Sequence, residues 1–395
     1  MYWFKKQRIK VKPISQLGVF YLLASLGFAM VSTIWAIYLR SFISSASSVG
    51  FLTTLFTGVG ILAYFLLIPV IEKRNKSKLL LTSFLIFVIS YFLFSIYSNF
   101  YLVVFLGIVL AIAVSLRVTV FGIIVRDKTK SKEVSKNEGF IYTLLNLAFL
   151  IGPLIAGYLS QKYGFKFVFL ISAIIIFVSI FVFKFFKIKD NRKDKKIDHN
   201  VFKISLEFFR NKDRLKAYLL SGAINFWFAL IYIYVPVRII ELGLGNFIVG
   251  LFLAGVIAPL VLFEYHFGKL VAKKGFKKLF FLGFLIVGVL SLLCFLIGNI
   301  YFILVALVLA SVGISMLEPT TEAYFFDIIK KTQRDRYYGP YNTAIDMGYL
   351  IGTLIPALIL LIFPFKTIFI LFAAAMLSFS LLSLRIKDIF ESRRK

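Results

Sequence analysis

Acid is scarce in this chain. Of 395 residues, 18 are Asp or Glu against 46 Lys or Arg, and only 16% are charged, where a soluble domain carries about 25%. There is one cysteine; Cys294 alone excludes an internal disulfide and a cysteine metal centre. Two histidines, His199 and His266, leave little for acid–base catalysis, and no Walker-type nucleotide loop occurs. Neither a cofactor nor an enzymatic reaction is expected. Long polar stretches are also missing, except near 187–216.

Apolar surface is what the chain has. It is 60% hydrophobic and 18% aromatic, in twelve long runs at about 17–39, 49–71, 79–98, 101–125, 139–161, 165–186, 217–239, 247–267, 279–298, 301–326, 339–363 and 366–384. Runs of about 18 or more residues with few charges are candidate membrane spans. A barrel would show short alternating strands, so the expected fold is all-α and integral to the membrane, with twelve transmembrane helices, spans 1 to 12. With the N-terminus inside, only Arg40, Lys162, Lys166, Arg238 and Lys366 fall on the outer side, and Arg117 lies within a span. That asymmetry puts both termini in the cytoplasm of a multi-pass plasma-membrane protein. The net charge of +28 then reflects topology and attraction to membrane lipid, not a nucleic-acid partner. The opening basic-then-apolar stretch outlasts a signal core and reads as an uncleaved first span.

A repeat with a 200-residue offset runs through the chain. "DKTKSKEVSKNEGFIYTLLNLAFLIG" from Asp127 to Gly152 aligns without a gap on "DIIKKTQRDRYYGPYNTAIDMGYLIG" from Asp327 to Gly352. Val49-Gly50 matches Val249-Gly250, Asn99 matches Asn299, and Phe165-Lys166 matches Phe365-Lys366. Chance alignment of apolar runs would not keep loop asparagines and lysines in step. Two homologous six-helix halves, 1–186 and 217–395, are expected, joined by a cytoplasmic linker at 187–216; parallel repeats of this kind are a transporter architecture. In the linker Val201, Ile204 and Phe208 fall at helical spacing, which fits a short helix on the membrane surface or a disordered tether.

The turn between spans 2 and 3 reads "IPVIEKRNKSKLL" and that between spans 8 and 9 "FGKLVAKKGFKKLF". Here the sequence resembles the major facilitator superfamily, whose signature in these loops is Gly-x-x-x-Asp-Arg/Lys-x-Gly-Arg/Lys-Arg/Lys. The second copy keeps Gly268, Lys273, Gly275, Lys277 and Lys278, with Ala272 for the acid; the first keeps the acid as Glu72, followed by Lys73. "LIGPLIAGYL" in span 5 resembles the Gly-Pro-x-x-Gly-Gly core of the family's drug–proton antiporters, although close helix packing explains those small residues equally well. The resemblance implies the major facilitator fold, alternating access, and a conformational latch formed by Glu72, Lys73, Arg126, Gly268, Lys273 and Gly275. Glu72 would meet the positive end of span 11 and a cation such as Arg126 when the outward-facing state is held. The lysines alone read equally as ordinary positive-inside turns.

Ionisable groups inside spans are costly and usually face a cavity or a partner. Arg117 in span 4 and Glu318 in span 10 lie ten and nine residues from Asp127 and Asp327, about 15 and 13–14 Å at 1.5 Å per residue, near the bilayer midplane. They form the expected proton-coupling set with Asp346 in span 11, where the first half has Asn146; static pairing is the alternative reading. Glu264, His266 and Glu322 read as partners of inner-loop cations. Asn225, Trp227 and Tyr232 in span 7, with Ser32 and Trp35 in span 1, are candidates for a substrate cavity. The expected activity is secondary transport of a small molecule by a monomer, coupled to protons. Efflux of small amphipathic compounds is the leading expectation and calls for an aromatic, weakly polar cavity; uptake of a polar metabolite is the alternative and calls for more fixed charge. A membrane-embedded transferase or a scaffold are the readings from other classes.

Overall fold

The computed structural model describes residues 13–127, 134–186 and 201–387, and among them the regular elements are helices. Spans 1 to 6 are Pro13–Arg40, Ala46–Leu66, Lys76–Ile96, Phe100–Asp127, Val134–Tyr163 and Phe165–Phe185. Spans 7 to 12 are Lys212–Glu241, Asn246–Lys274, Phe276–Ile297, Ile300–Ile328, Arg334–Ile359 and Thr367–Ser383. Eleven are long and apolar enough to cross a membrane, one fewer than expected. Span 12 has 17 residues because the chain turns at Pro364 and unwinds at Leu384.

The turns recur at the repeat offset. Asn99 Oδ1 accepts the backbone N–H of Leu102, and Asn299 Oδ1 those of Tyr301 and Phe302, so the same residue caps spans 4 and 10. Asn75 caps span 3 through Lys78 N–H, whereas its counterpart Gly275 joins spans 8 and 9 at φ +77°, a conformation glycine adopts without strain. Span 7 is interrupted by one π-helical turn, Leu230–Tyr234, just before Pro236. Proline has no N–H to continue the ladder, and the wider turn absorbs the break.

Calling the end where the described chain begins, at Pro13, and finishes, at Lys387, the near face, the two halves close on each other at the far face. Arg40, ending span 1, meets Glu241, ending span 7, at 3.4 Å. Ser47 Oγ donates to Ala357 O at 2.7 Å, and Thr54 Oγ1 to Thr353 Oγ1 at 2.9 Å, between spans 2 and 11. Asn246 N–H donates to Gln161 Oε1 at 2.6 Å, between spans 8 and 5. Beside it Gly157 and Gly250 bring the two backbones together, for a Cβ on Gly250 would strike Pro153 O. Toward the near face, a Cβ at Gly122, Gly268 or Gly339 would meet nothing within 4 Å. Span 1 reaches span 7 through the π turn and the segment beyond it. With the far face closed by these contacts and Glu318, midway along span 10, solvent-accessible, a recess lies between the halves that opens away from the far face.

The linker forms a helix, Val201–Arg210. Phe208 is fully buried, with its ring near Tyr218, Phe325 and Tyr337. Glu207 pairs with Arg336 of span 11 at 2.6 Å. The helix docks on the second half through its apolar face, which the expectation of a membrane-surface helix had assigned to lipid.

Candidate functional site

Glu318 is solvent-accessible by area although protein surrounds it on all sides, which places its carboxylate on the wall of the recess. It lies within electrostatic reach of Glu264 from span 8 and Tyr232 from span 7. Glu264 crosses to the first half, accepting Asn146 Nδ2–H at 3.1 Å. On the other side of the recess Asp346 lies within electrostatic reach of Tyr64 from span 2 and Tyr218 from span 7. Tyr64 lies near Ser115 and is also in reach of Arg117.

These two clusters occupy equivalent places in the repeat. Subtracting 200 from Glu264 and Asp346 gives Tyr64 and Asn146, so Asn146–Glu264 in the seam of spans 5 and 8 corresponds to Asp346–Tyr64 in the seam of spans 11 and 2. Each seam holds one acid facing one neutral polar group, with the acid always contributed by the second half. The acid that the repeat seemed to have added at Asp346 thus has a counterpart at Glu264, on the opposite partner.

Arg117 and Glu318 do not pair in this state. Arg117 sits over the Phe28 ring at 4.2 Å and 5.8 Å from Phe87, its Nε has no hydrogen-bond partner, and no described carboxylate lies within ion-pair distance. Trp227 is fully buried, with no partner for its Nε1, and so sits behind the recess wall. Asn225, Tyr232, Ser32 and Trp35 are half-buried, and Trp35 packs against Phe56 and Phe94. Glu322 hydrogen-bonds Tyr338, and among the described residues neither it nor Glu264 shows the cationic partner expected of it. His266 is exposed near the end of span 8. Among the described residues no cluster has the makings of a metal site.

The latch residues gather at the near face. Lys73 and Lys273 are exposed, Gly268 has open space beside it, and Gly275 forms the turn. One Glu72 carboxylate oxygen is buried without a hydrogen-bond partner. The side chain of Arg126 lies outside the described residues. The latch expected of Glu72 calls for a cationic partner in the opposite state. Glu72→Gln should therefore leave the near-open state intact and weaken the opposite one, so that cysteine accessibility from the far face falls; unchanged accessibility would remove the latch.

A bundle of apolar helices in two pseudo-equivalent halves, sealed at one face around a recess lined with buried charge, is the architecture of an alternating-access carrier. The sequence model of the Major Facilitator Superfamily matches residues 17–263 and 240–395. The chain belongs to that superfamily of transporters. An uncharacterized MFS-type transporter of Methanocaldococcus jannaschii is 26% identical over 221 residues, spanning 54% of this chain and 56% of that protein. The fold matches a POT family transporter solved with 5-aminolevulinic acid at a TM-score of 0.76 and 14% identity, covering 93% of this chain and 94% of that one. A second POT structure, with a thioalcohol conjugated peptide, matches at 0.76 and 13% identity over 96% of both chains. At such identities the likeness speaks for the fold.

Proposed function

We propose that this chain is a proton-coupled carrier of small, polar, amine-bearing solutes. The observation that carries the reading is the fixed charge of the recess, where Glu264, Glu318 and Asp346 face Asn146, Tyr64 and Tyr232. An amphipathic-drug cavity has no need of three acids, whereas a cationic amine is held by them through charge-assisted hydrogen bonds. Glu264 and Glu318 lie within electrostatic reach of each other and repel when both are charged, so the pair is suited to hold one proton between them. Solute and proton would then move together, as uptake. The structural relatives solved with 5-aminolevulinic acid and with a peptide derivative hold amine-bearing ligands of this kind. With both termini cytoplasmic in the plasma membrane, this is the inward-facing state of a monomer.

The second reading, proton-coupled efflux of amphipathic compounds, draws on the span 5 run "GPLIAG" and on Trp35, Tyr64 and Tyr232 near the recess. Proteoliposomes separate the two. Under an inward proton gradient, accumulation of short peptides or amino acids with a free amine supports the first. Export of an apolar cationic dye, with no accumulation of any amine-bearing solute, would replace it with the second.

Asp346→Asn restores the residue of the matching first-half position, so the protein should fold. Transport is expected to slow severalfold with a flattened pH dependence. A wild-type rate and pH profile would take Asp346 out of the cycle.

A further inference from the structure

At the far face of the second half a cavity of about 210 Å³ lies between the ends of spans 7, 9, 10 and 12, with Arg238 and Lys366 at its rim. The repeat explains why it exists. In the first half the corresponding corner is filled with rings: Tyr38 packs at 5.1 Å on Phe42, 5.8 Å on Phe165 and 4.8 Å on Phe169. Adding 200 turns Trp35 into Val235, Tyr38 into Arg238, Phe42 into Leu242 and Phe100 into Ile300, all of which line the cavity. Ring volume has been lost and a cation gained at the same corner.

The two equivalent lysines differ as well. Lys166 donates to Ile96 O at 2.8 Å and so finishes the end of span 3. In the second half Gly298 ends span 9 in the left-handed conformation, and Lys366 is left 5.8 Å from the Phe295 ring with no hydrogen-bond or ion-pair partner among the described residues. Arg238 is shared between Glu241 at 3.3 Å and the Phe365 ring at 5.3 Å. The site thus offers one free cation, one divertible cation and an apolar floor of Val235, Ile303 and Phe369.

We infer that this cavity binds the phosphate of an anionic phospholipid headgroup, held by Lys366 and Arg238. The cavity is small for a whole lipid but fits a phosphate and its first carbons. It lies at the helix ends, where headgroups lie, and the neighbouring Leu361, Ile362 and Phe363 are exposed at 64%, 79% and 53%, as lipid-facing residues should be.

Occupancy is coupled to the far-face closure through Glu241. When the far face is closed, Arg40 of span 1 also binds Glu241, so Arg238 is released more readily to an anion. When it opens, Glu241 has only Arg238 and competes with the lipid. The lipid therefore binds the closed state more tightly and, by reciprocity, stabilises it.

The test uses the full-length protein in detergent with short-chain phosphatidylglycerol, phosphatidylcholine of equal chain length, and inorganic phosphate. Phosphatidylglycerol should raise the melting temperature at a concentration at least about tenfold below that of phosphatidylcholine, the scale of one charge-assisted hydrogen bond. Lys366→Gln should weaken that response roughly tenfold, and Leu242→Phe with Ile300→Phe, which refills the corner with rings, should abolish it. Labelling of Ser47→Cys in the far-face seam should slow with phosphatidylglycerol in the wild-type background and not in Lys366→Gln. An equal effect of inorganic phosphate would overturn the lipid assignment. A response to phosphatidylglycerol that survives both sets of substitutions would overturn the site.

Discussion

Glu318→Gln is expected to abolish uphill transport while leaving downhill exchange measurable. Glutamine keeps the shape and hydrogen bonding of the side chain but carries no titratable proton. With one proton per solute, a gradient of one pH unit supports about tenfold accumulation, since each unit is worth about 1.4 kcal/mol. A carrier that no longer couples settles at an accumulation ratio of one. Glu318→Gln proteoliposomes loaded with labelled solute should still exchange it, because the recess and its closure are unchanged. Glu264→Gln should behave similarly if the two carboxylates share the proton, and accumulation should survive it if Glu318 carries the proton alone. Full accumulation in Glu318→Gln would end the role of Glu318.

The depth of Glu318 could be read from the sequence, because a helix converts residue count into distance. Its orientation could also be read, though only by taking the repeat more literally. Arg117 corresponds to Leu317, which is fully buried, and Glu318 corresponds to Val118, which is 40% exposed. Neighbours in sequence on a helix point about 100° apart, so Arg117 turns into its own bundle toward Phe28 and Phe87 while Glu318 turns to the recess. Equal depth in two halves is not proximity. The offset likewise contained the Asn146–Glu264 and Asp346–Tyr64 seams, but their members are far apart in the chain. Only the packing of span 5 on span 8 and of span 2 on span 11 reveals that they are neighbours.

What the sequence could not supply is the state of the molecule. The runs of apolar residues, the capping asparagines and the turn glycine Gly275 act locally and are the same whichever face is open. Closure depends on contacts between halves, such as Arg40–Glu241 and Gln161–Asn246, and those exist in one conformation at a time. The linker helix was misplaced for a related reason. The periodicity of Ile204 and Phe208 shows an apolar face, and a protein groove satisfies it as well as lipid does.

Gly250→Leu is expected to drive the carrier out of the state described here. In the closed far face, span 8 lies so near span 5 that a Cβ at position 250 would strike Pro153 O and come within 2.9 Å of Gly157 Cα. Backbone atoms cannot step aside as a flexible side chain can, so overpacking here should cost about 3 kcal/mol, the upper part of its usual range. The clash joins the two halves and vanishes when they separate at the far face, so the cost falls on one state of the cycle and not on folding. About 3 kcal/mol shifts a two-state population by roughly 100-fold. The initial rate of solute uptake should fall by up to a similar factor, and Ser47→Cys in the far-face seam, now unsealed, should react faster with a membrane-impermeant maleimide applied from the far side. Gly122→Leu is the control: the space beside Gly122 is open, so its labelling should match that of the parent. Faster labelling in Gly250→Leu alone marks the contact of spans 5 and 8 as the far-face seal, and equal labelling in all three proteins would place the seal elsewhere.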